Sequence, residues 1–184
     1  MNILVWEVYI QRTPFIVKYC KRCGKSTKFE SSGLFRVNYQ KKLLDIWLIY
    51  RCYNCDMTWN LAIFSRLHIN AIKQEMLDRI ISNDNDMVMN YATDAALLKR
   101  NGVKCDTAEA EVIGAAFNWV DTTEIHIVSK WPLENKAASL ISQKLGISRN
   151  VFNRMCDDGT IISLSGQKLK SCKMVGEIII LVAI

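Results

Sequence analysis

The sequence predicts an α+β protein: an N-terminal β-hairpin domain pinned by cysteines, a helical middle and a small C-terminal α/β module. Three observations predict it. Two short cysteine pairs, Cys20-x2-Cys23 and Cys52-x2-Cys55, flank a β-prone stretch of 28 residues. Apolar residues then recur at helical spacing between about 68 and 100. After Trp131-Pro132 comes a compact helix, helix, strand, strand pattern. The corresponding domains are 1–66, 67–130 (with one strand) and 131–184.

The cysteine pairs carry the strongest chemical signal. Each pair can turn tightly and aim two sulfurs at one point, and a hairpin between them brings the four together. Four thiolates in a tetrahedron suit zinc in a closed, structural site, whereas a catalytic zinc keeps an open position. Gly24, directly after Cys23, fits a turn that needs positive φ. Cys20, Cys23, Cys52 and Cys55 are therefore the expected ligands of a structural zinc, and the first domain reads as a zinc ribbon. Cys105, Cys156 and Cys172 stand in apolar or helical surroundings and read as small buried hydrophobes. An odd remainder of cysteines points to a reducing, cytoplasmic setting rather than a disulfide scaffold.

Within the ribbon, 3–9 and 14–19 read as strands leading into the metal site. Residues 34–39 and 45–50 form a hairpin about the polar turn Gln40-Lys41-Lys42. Trp47, Tyr50, Tyr53 and Trp59, with Arg36 and Arg51 beside them, could form a stacking platform for single strands. The favoured reading is a mini-core around the metal, since aromatics mainly supply buried area.

In the middle, Ile69, Ile72, Met76 and Ile80 fall on one helical stripe. The polar run Asn83-Asp84-Asn85-Asp86 starts a second helix to about Arg100, ended by Asn101-Gly102. The Asp/Asn run lacks the glycine and distant glutamate of a calcium loop. A strand near 124–129 follows from the alternation of Ile125 and Ile127 with Glu124 and His126. Neither His68 nor His126 sits in a catalytic or metal pattern, so both read as structural.

In the last segment, Leu133, Ala137, Leu140 or Ile141, and Leu145 make a helical stripe that Gly146 stops. Ser148 caps the next helix. On that helix Arg149, Asn150, Asn153 and Arg154 gather on one side and Val151, Phe152, Met155 and Cys156 on the other. Asp158-Gly159 turns the chain into strands near 160–164 and 178–182, with Lys168, Lys170 and Lys173 between them. Helix starts and Arg/Lys clusters suit phosphates. Arg149, Asn153, Arg154, Lys168, Lys170 and Lys173 are thus candidate nucleic-acid contacts.

The 184 residues carry 24 Lys/Arg against 18 Asp/Glu, a net charge of +6. Residues 1–60 hold ten and four, 61–129 six and ten, and 130–184 eight and four. Two basic ends flank an acidic middle, as expected if the ends meet a polyanion. MNILVWEVYIQ lacks the features of a secretory signal, and the apolar tail Ile178 to Ile184 is too short to span a bilayer, so no membrane is expected. No nucleophile–base pair, phosphate-cradling glycine loop or open metal site is present, which argues against an enzyme and a small-molecule substrate.

Two resemblances bear on this. Leu145-Gly146-Ile147-Ser148-Arg149, Asp158-Gly159-Thr160-Ile161 and Gly176-Glu177-Ile178-Ile179, over about 134–182, resemble the small RNA-binding module named after ribosomal small-subunit protein four. The resemblance implies that Arg149 and Arg154, with Lys168 and Lys170, face structured RNA. The module's usual Val-Asn-Gly turn is here Ser163-Leu164-Ser165-Gly166. Cys-x2-Cys-Gly, Ser32 to Asn38, Leu44 to Cys52 and Thr58-Trp59-Asn60 resemble a bacterial family of uncharacterised proteins, domain of unknown function one thousand and sixty-two, which implies no activity. The reading is a non-enzymatic, zinc-stabilised nucleic-acid-binding protein with RNA as partner. The alternative is a scaffold that docks a protein partner through the ribbon.

Overall fold

In the computed structural model, which describes residues 2–184, strand outweighs helix, 43% against 23%. In chain order the strands and helices are β1 (Asn2–Arg12), β2 (Ile16–Cys20), β3 (Lys25–Gln40), β4 (Leu43–Cys52), β5 (Thr58–His68), α1 (Gln74–Ile81), α2 (Asn85–Thr93), α3 (Ala95–Arg100), β6 (Lys104–Cys105), β7 (Glu109–Ile113), β8 (Thr123–Ser129), α4 (Ala137–Lys144), α5 (Arg149–Asp157), β9 (Ile161–Ser163) and β10 (Gly176–Val182). They divide between two compact units: Thr13–Thr107, and β1 together with Ala108–Ile184. Neither 66 nor 130 is a boundary of these units.

The unit Thr13–Thr107 is built on an antiparallel sheet in the order β5-β4-β3-β2-β6. Its strands alternate as half-buried strands must. On β4, Leu44, Ile46, Leu48 and Tyr50 are buried, while Leu43, Asp45, Trp47 and Ile49 between them are half-exposed. The β3–β4 turn is Lys41-Lys42, both at positive φ (51° and 65°), the backbone of a tight hairpin whose twist matches its strands. Leu77 and Ile80 of α1, Val88 of α2, and Leu97 and Leu98 of α3 join the sheet's buried side chains in one core.

This corrects the expected helical middle and separate N-terminal ribbon. The helices are only eight, nine and six residues long and lie on a sheet that runs from Ile16 to Cys105. The stripe Ile69, Ile72, Met76, Ile80 does not lie on one helix. His68 Nδ1 accepts the Asn70 N–H and caps a single 3-10 turn, Ile72 is extended, and α1 begins only at Gln74. The second expected helix breaks at Asp94, whose carboxylate accepts the Leu97 N–H while its own backbone is extended. An aspartate that can cap competes with helix continuation. β5 went unread, although Trp59, Leu61 and Ile63 carry the period of two.

The other unit holds a mixed sheet in the order β7-β1-β8-β10-β9, with β1 parallel to β8 and the remaining pairs antiparallel. Trp6, Val8, Ile125, Ile127, Ile178 and Ile180 are buried, as are Leu140, Ile141 and Phe152 of the helices. α4 packs by β7 and α5 by β9. The expected small C-terminal module is therefore part of a larger sheet. β10 pairs with β8 from Gly176 to Val182, and β8 pairs with the N-terminal strand. β1, expected to lead into the metal site, pairs with β7 and β8 in this sheet and has no place in the cysteine-bearing one. The alternate positions of this sheet stay open: Ile3, Val5, Tyr9 and Val128 are exposed around a His126 held by Glu124 and Glu177. Among the described residues no helix is long and apolar enough to cross a membrane.

Candidate metal centre

β3 lies between β2 and β4, pairing Lys25 with Cys20 on one side and Phe29 with Cys52 on the other. The turns that leave β2 and β4 therefore meet beside the start of β3. Each turn closes on its first cysteine. Gly24 N–H donates to the Cys20 carbonyl at 2.9 Å, and Asp56 N–H to the Cys52 carbonyl at 2.9 Å. Both closures need a left-handed residue, Gly24 at φ 66° and Asp56 at φ 58°.

The turns bring the sulfurs of Cys20, Cys23, Cys52 and Cys55 within 4.8 Å of one another. Cys20 Sγ to Cys55 Sγ is 3.5 Å, and Cys23 Sγ to Cys52 Sγ is 3.9 Å. Sulfurs about 2.3 Å from a central ion at tetrahedral angles are roughly 3.8 Å apart, so both distances fit one four-coordinate ion. A disulfide would need about 2.05 Å, and none of these four cysteines is in one. The four can hold a metal ion. Cys20 and Cys52 are buried and Cys23 and Cys55 half-buried.

A second layer orients the sulfurs. Thr27 Oγ1 lies 3.2 Å from Cys52 Sγ, and the backbone N–H groups of Asn54 and Cys55 also point at that sulfur. Met57 N–H does the same for Cys55, and Arg22 Nη1 donates to the Cys55 carbonyl at 3.1 Å. Burial opposes ionisation of Cys52, but these donors outweigh it and bring its thiol down to about 6. Cys23 goes the other way, pushed up to about 12 by its hydrogen bond with Cys55, by burial, and by the Cys20 and Cys52 sulfurs. So closely packed, the thiols cannot all ionise without a cation among them.

Lys21, Arg22, Lys25 and Lys28 stand exposed around the turns and make no ion pair among the described residues. Phe15 meets Tyr53 edge-on at 5.7 Å, with Lys28 Nζ 5.2 Å from the Phe15 centroid. Tyr19 and Tyr53 are exposed. Of the four aromatics read as a mini-core, Tyr50 is fully buried and leans on Trp59, Trp47 lies on the opposite side of the sheet under Arg36, and Tyr53 is 66% exposed.

The C-terminal candidates are brought together only in part. Arg149 Nη2 donates to the Lys170 carbonyl at 2.8 Å. Lys170 pairs with Asp157, and Lys173 with Glu134. Asn153 Oδ1 is buried. Arg154 and Lys168 are exposed. The fold also moves the charge: Thr13–Thr107 holds 15 Lys/Arg against nine Asp/Glu, and the other unit nine against nine. The whole net charge thus sits on the unit with the cysteines. The cations around the turns went unread, although five of them fall within 18–28.

No curated protein and no solved structure matches the chain. The family described as "Protein of unknown function (DUF1062)" matches residues 37–167, a span that includes Cys52 and Cys55 and begins after Cys20 and Cys23. That span is more than two thirds of the chain, and the protein belongs to this family.

Proposed function

We propose that the four cysteines hold a structural zinc ion, and that the unit they brace binds RNA through the cations and aromatic rings around the metal, without catalysis. Sulfur spacing supports zinc: the two turns supply four thiolates at the separations a closed tetrahedron requires, and no position is left for a substrate. A reducing, cytoplasmic setting would keep these thiols available.

The observation that carries the RNA reading is the charge around the turns. β2, the start of β3, the end of β4 and the two turns present Lys18, Lys21, Arg22, Lys25, Lys28 and Arg51 against Glu30 and Asp56. A zinc tetrathiolate adds two negative charges, and the excess stays positive. Exposed Tyr19 and Tyr53 add faces on which bases stack. On α5 and the following loop the cations are partly neutralised, so the metal-bearing surface is the stronger candidate.

The test is binding of a labelled hairpin RNA to the zinc-loaded chain at several salt concentrations, with metal content measured beside it. Wild type should bind and weaken steeply with salt as counterions are released. Lys21→Ala/Lys25→Ala/Lys28→Ala should lose about tenfold or more and show a shallower salt dependence, while Arg149→Ala/Arg154→Ala should bind nearly as wild type. No binding at low salt, or loss confined to the Arg149/Arg154 variant, overturns the proposal.

A further inference from the structure

Beside α5 a cavity of about 480 Å³ opens on the surface, lined by Cys156 and by residues of 161–171. Cys156, Ile161 and Leu169 give it an apolar wall, and Ser163, Gln167 and Lys168 a polar rim. Its volume lies within the range of small-molecule pockets, which bind through an apolar body and a few placed polar groups.

The walls are fixed by hydrogen bonds. Gln167 N–H donates to Ser163 Oγ at 3.1 Å, and Gln167 Oε1 accepts from the Ser163 and Ser165 hydroxyls. Ser165 Oγ accepts the Ile179 N–H at 2.8 Å, tying this loop to β10. Farther on, Cys172 N–H donates to the Lys168 carbonyl at 2.9 Å, and Arg149 reaches across to the Lys170 carbonyl. A loop held at these points is fixed where it borders the pocket.

A further observation points to the kind of occupant. At the rim Lys168 is exposed and makes no ion pair among the described residues, whereas Lys170 is paired with Asp157. An unneutralised ammonium beside an apolar wall selects for a ligand with an anionic end and a hydrocarbon body. Cys156 belongs to the wall rather than to any chemistry, because burial pushes its thiol up and keeps it neutral.

We propose that this cavity binds a small amphipathic organic anion, with its carboxylate or phosphate head at Lys168 and its apolar body against Cys156, Ile161 and Leu169. The site is independent of the metal centre and of the RNA reading.

The experiment uses the zinc-loaded full chain and anilinonaphthalene sulfonate, an aromatic body with an anionic head. Fluorescence titration should show one saturable site. Amide chemical-shift mapping should place it at Cys156, Ile161 to Ser163 and Gln167 to Ser171. Octanoate or octyl phosphate should displace the probe and octylammonium should not; the better displacer identifies the head group. Lys168→Glu, at an exposed position, should weaken binding about tenfold or more with an unchanged melting temperature. Absence of saturable binding, shifts that fall on the open face of β1 and β8 instead, or equal binding by Lys168→Glu would overturn the proposal.

Discussion

Cys20 and Cys55 come from opposite turns, 35 positions apart, and their sulfurs stand 3.5 Å from each other. That is too far for a bond and right for adjacent corners of a metal tetrahedron. The first prediction follows from it. Purified protein should carry one zinc per chain by elemental analysis, and cobalt should substitute with a tetrahedral thiolate spectrum. Cys52→Ser should abolish stoichiometric binding. Structural zinc contributes on the order of 10 kcal/mol of apparent binding energy in small peptides, so a chelator should unfold Thr13–Thr107, seen as loss of its amide protection, while α4 and α5 persist.

His126 gives a pH prediction. Its Nδ1 lies 2.9 Å from Glu177 Oε1 and its Nε2 2.8 Å from Glu124 Oε1. The bond to Glu177, then that to Glu124, raises the imidazole above its ordinary value, against a small desolvation cost. A group whose folded value is raised stabilises the fold fully below its unfolded value, near 6.5, and loses that contribution as pH rises through the folded value. The melting temperature of wild type should therefore fall relative to His126→Gln on raising the pH from below 6.5 into the alkaline range. A proton-resonance titration of His126 should have its midpoint above the unfolded value. An identical pH profile for the two proteins would remove this role.

Gly114 should resist substitution. It sits at φ 130°, and a Cβ there would come within 2.7 Å of Trp6 Cδ1 and 2.9 Å of the Val5 carbonyl. Trp6 cannot retreat easily, because it is fully buried and its Nε1 donates to the Ala115 carbonyl at 2.9 Å. Gly114→Ala combines a strained backbone with an overpacked contact, so it should cost about 2 kcal/mol or more in denaturant unfolding.

The α5 cap offers a smaller effect. Ser148 Oγ accepts the Val151 N–H at 3.3 Å. Ser148→Ala should cost about 1 kcal/mol and Ser148→Asp much less, measured by the same unfolding curves. A cost above that for Ala would mean the hydroxyl serves something besides the helix.

What could be read from the chain in advance was what neighbours within about ten residues decide. The two cysteine turns, the β3–β4 hairpin, the Ser148 cap and the alternation of β8 are each written in local spacing, because turn geometry and the periods of strand and helix act over that range. The sulfur cluster was also legible, since only one strand separates the strands that end in its turns. The helical middle was misread because a hydrophobic period does not register whether a residue such as Asp94 will cap rather than continue a helix.

Partner choice between distant strands was decided only in the folded chain. Nothing in Asn2–Arg12 by itself says that it leaves the cysteine sheet and runs parallel to Thr123–Ser129. That pairing is fixed by burial of Trp6, Val8, Ile125 and Ile127 together, a contact across more than a hundred residues. It also gathers Glu7, Glu109, Glu111 and Glu124 into the unit of α5, cancelling that unit's charge and leaving the excess beside the cysteines. The cysteine chemistry is local and belongs to the sequence; the surface on which its charge stands out exists only once the sheets have chosen their strands, because charge on a surface adds in space and not along the chain.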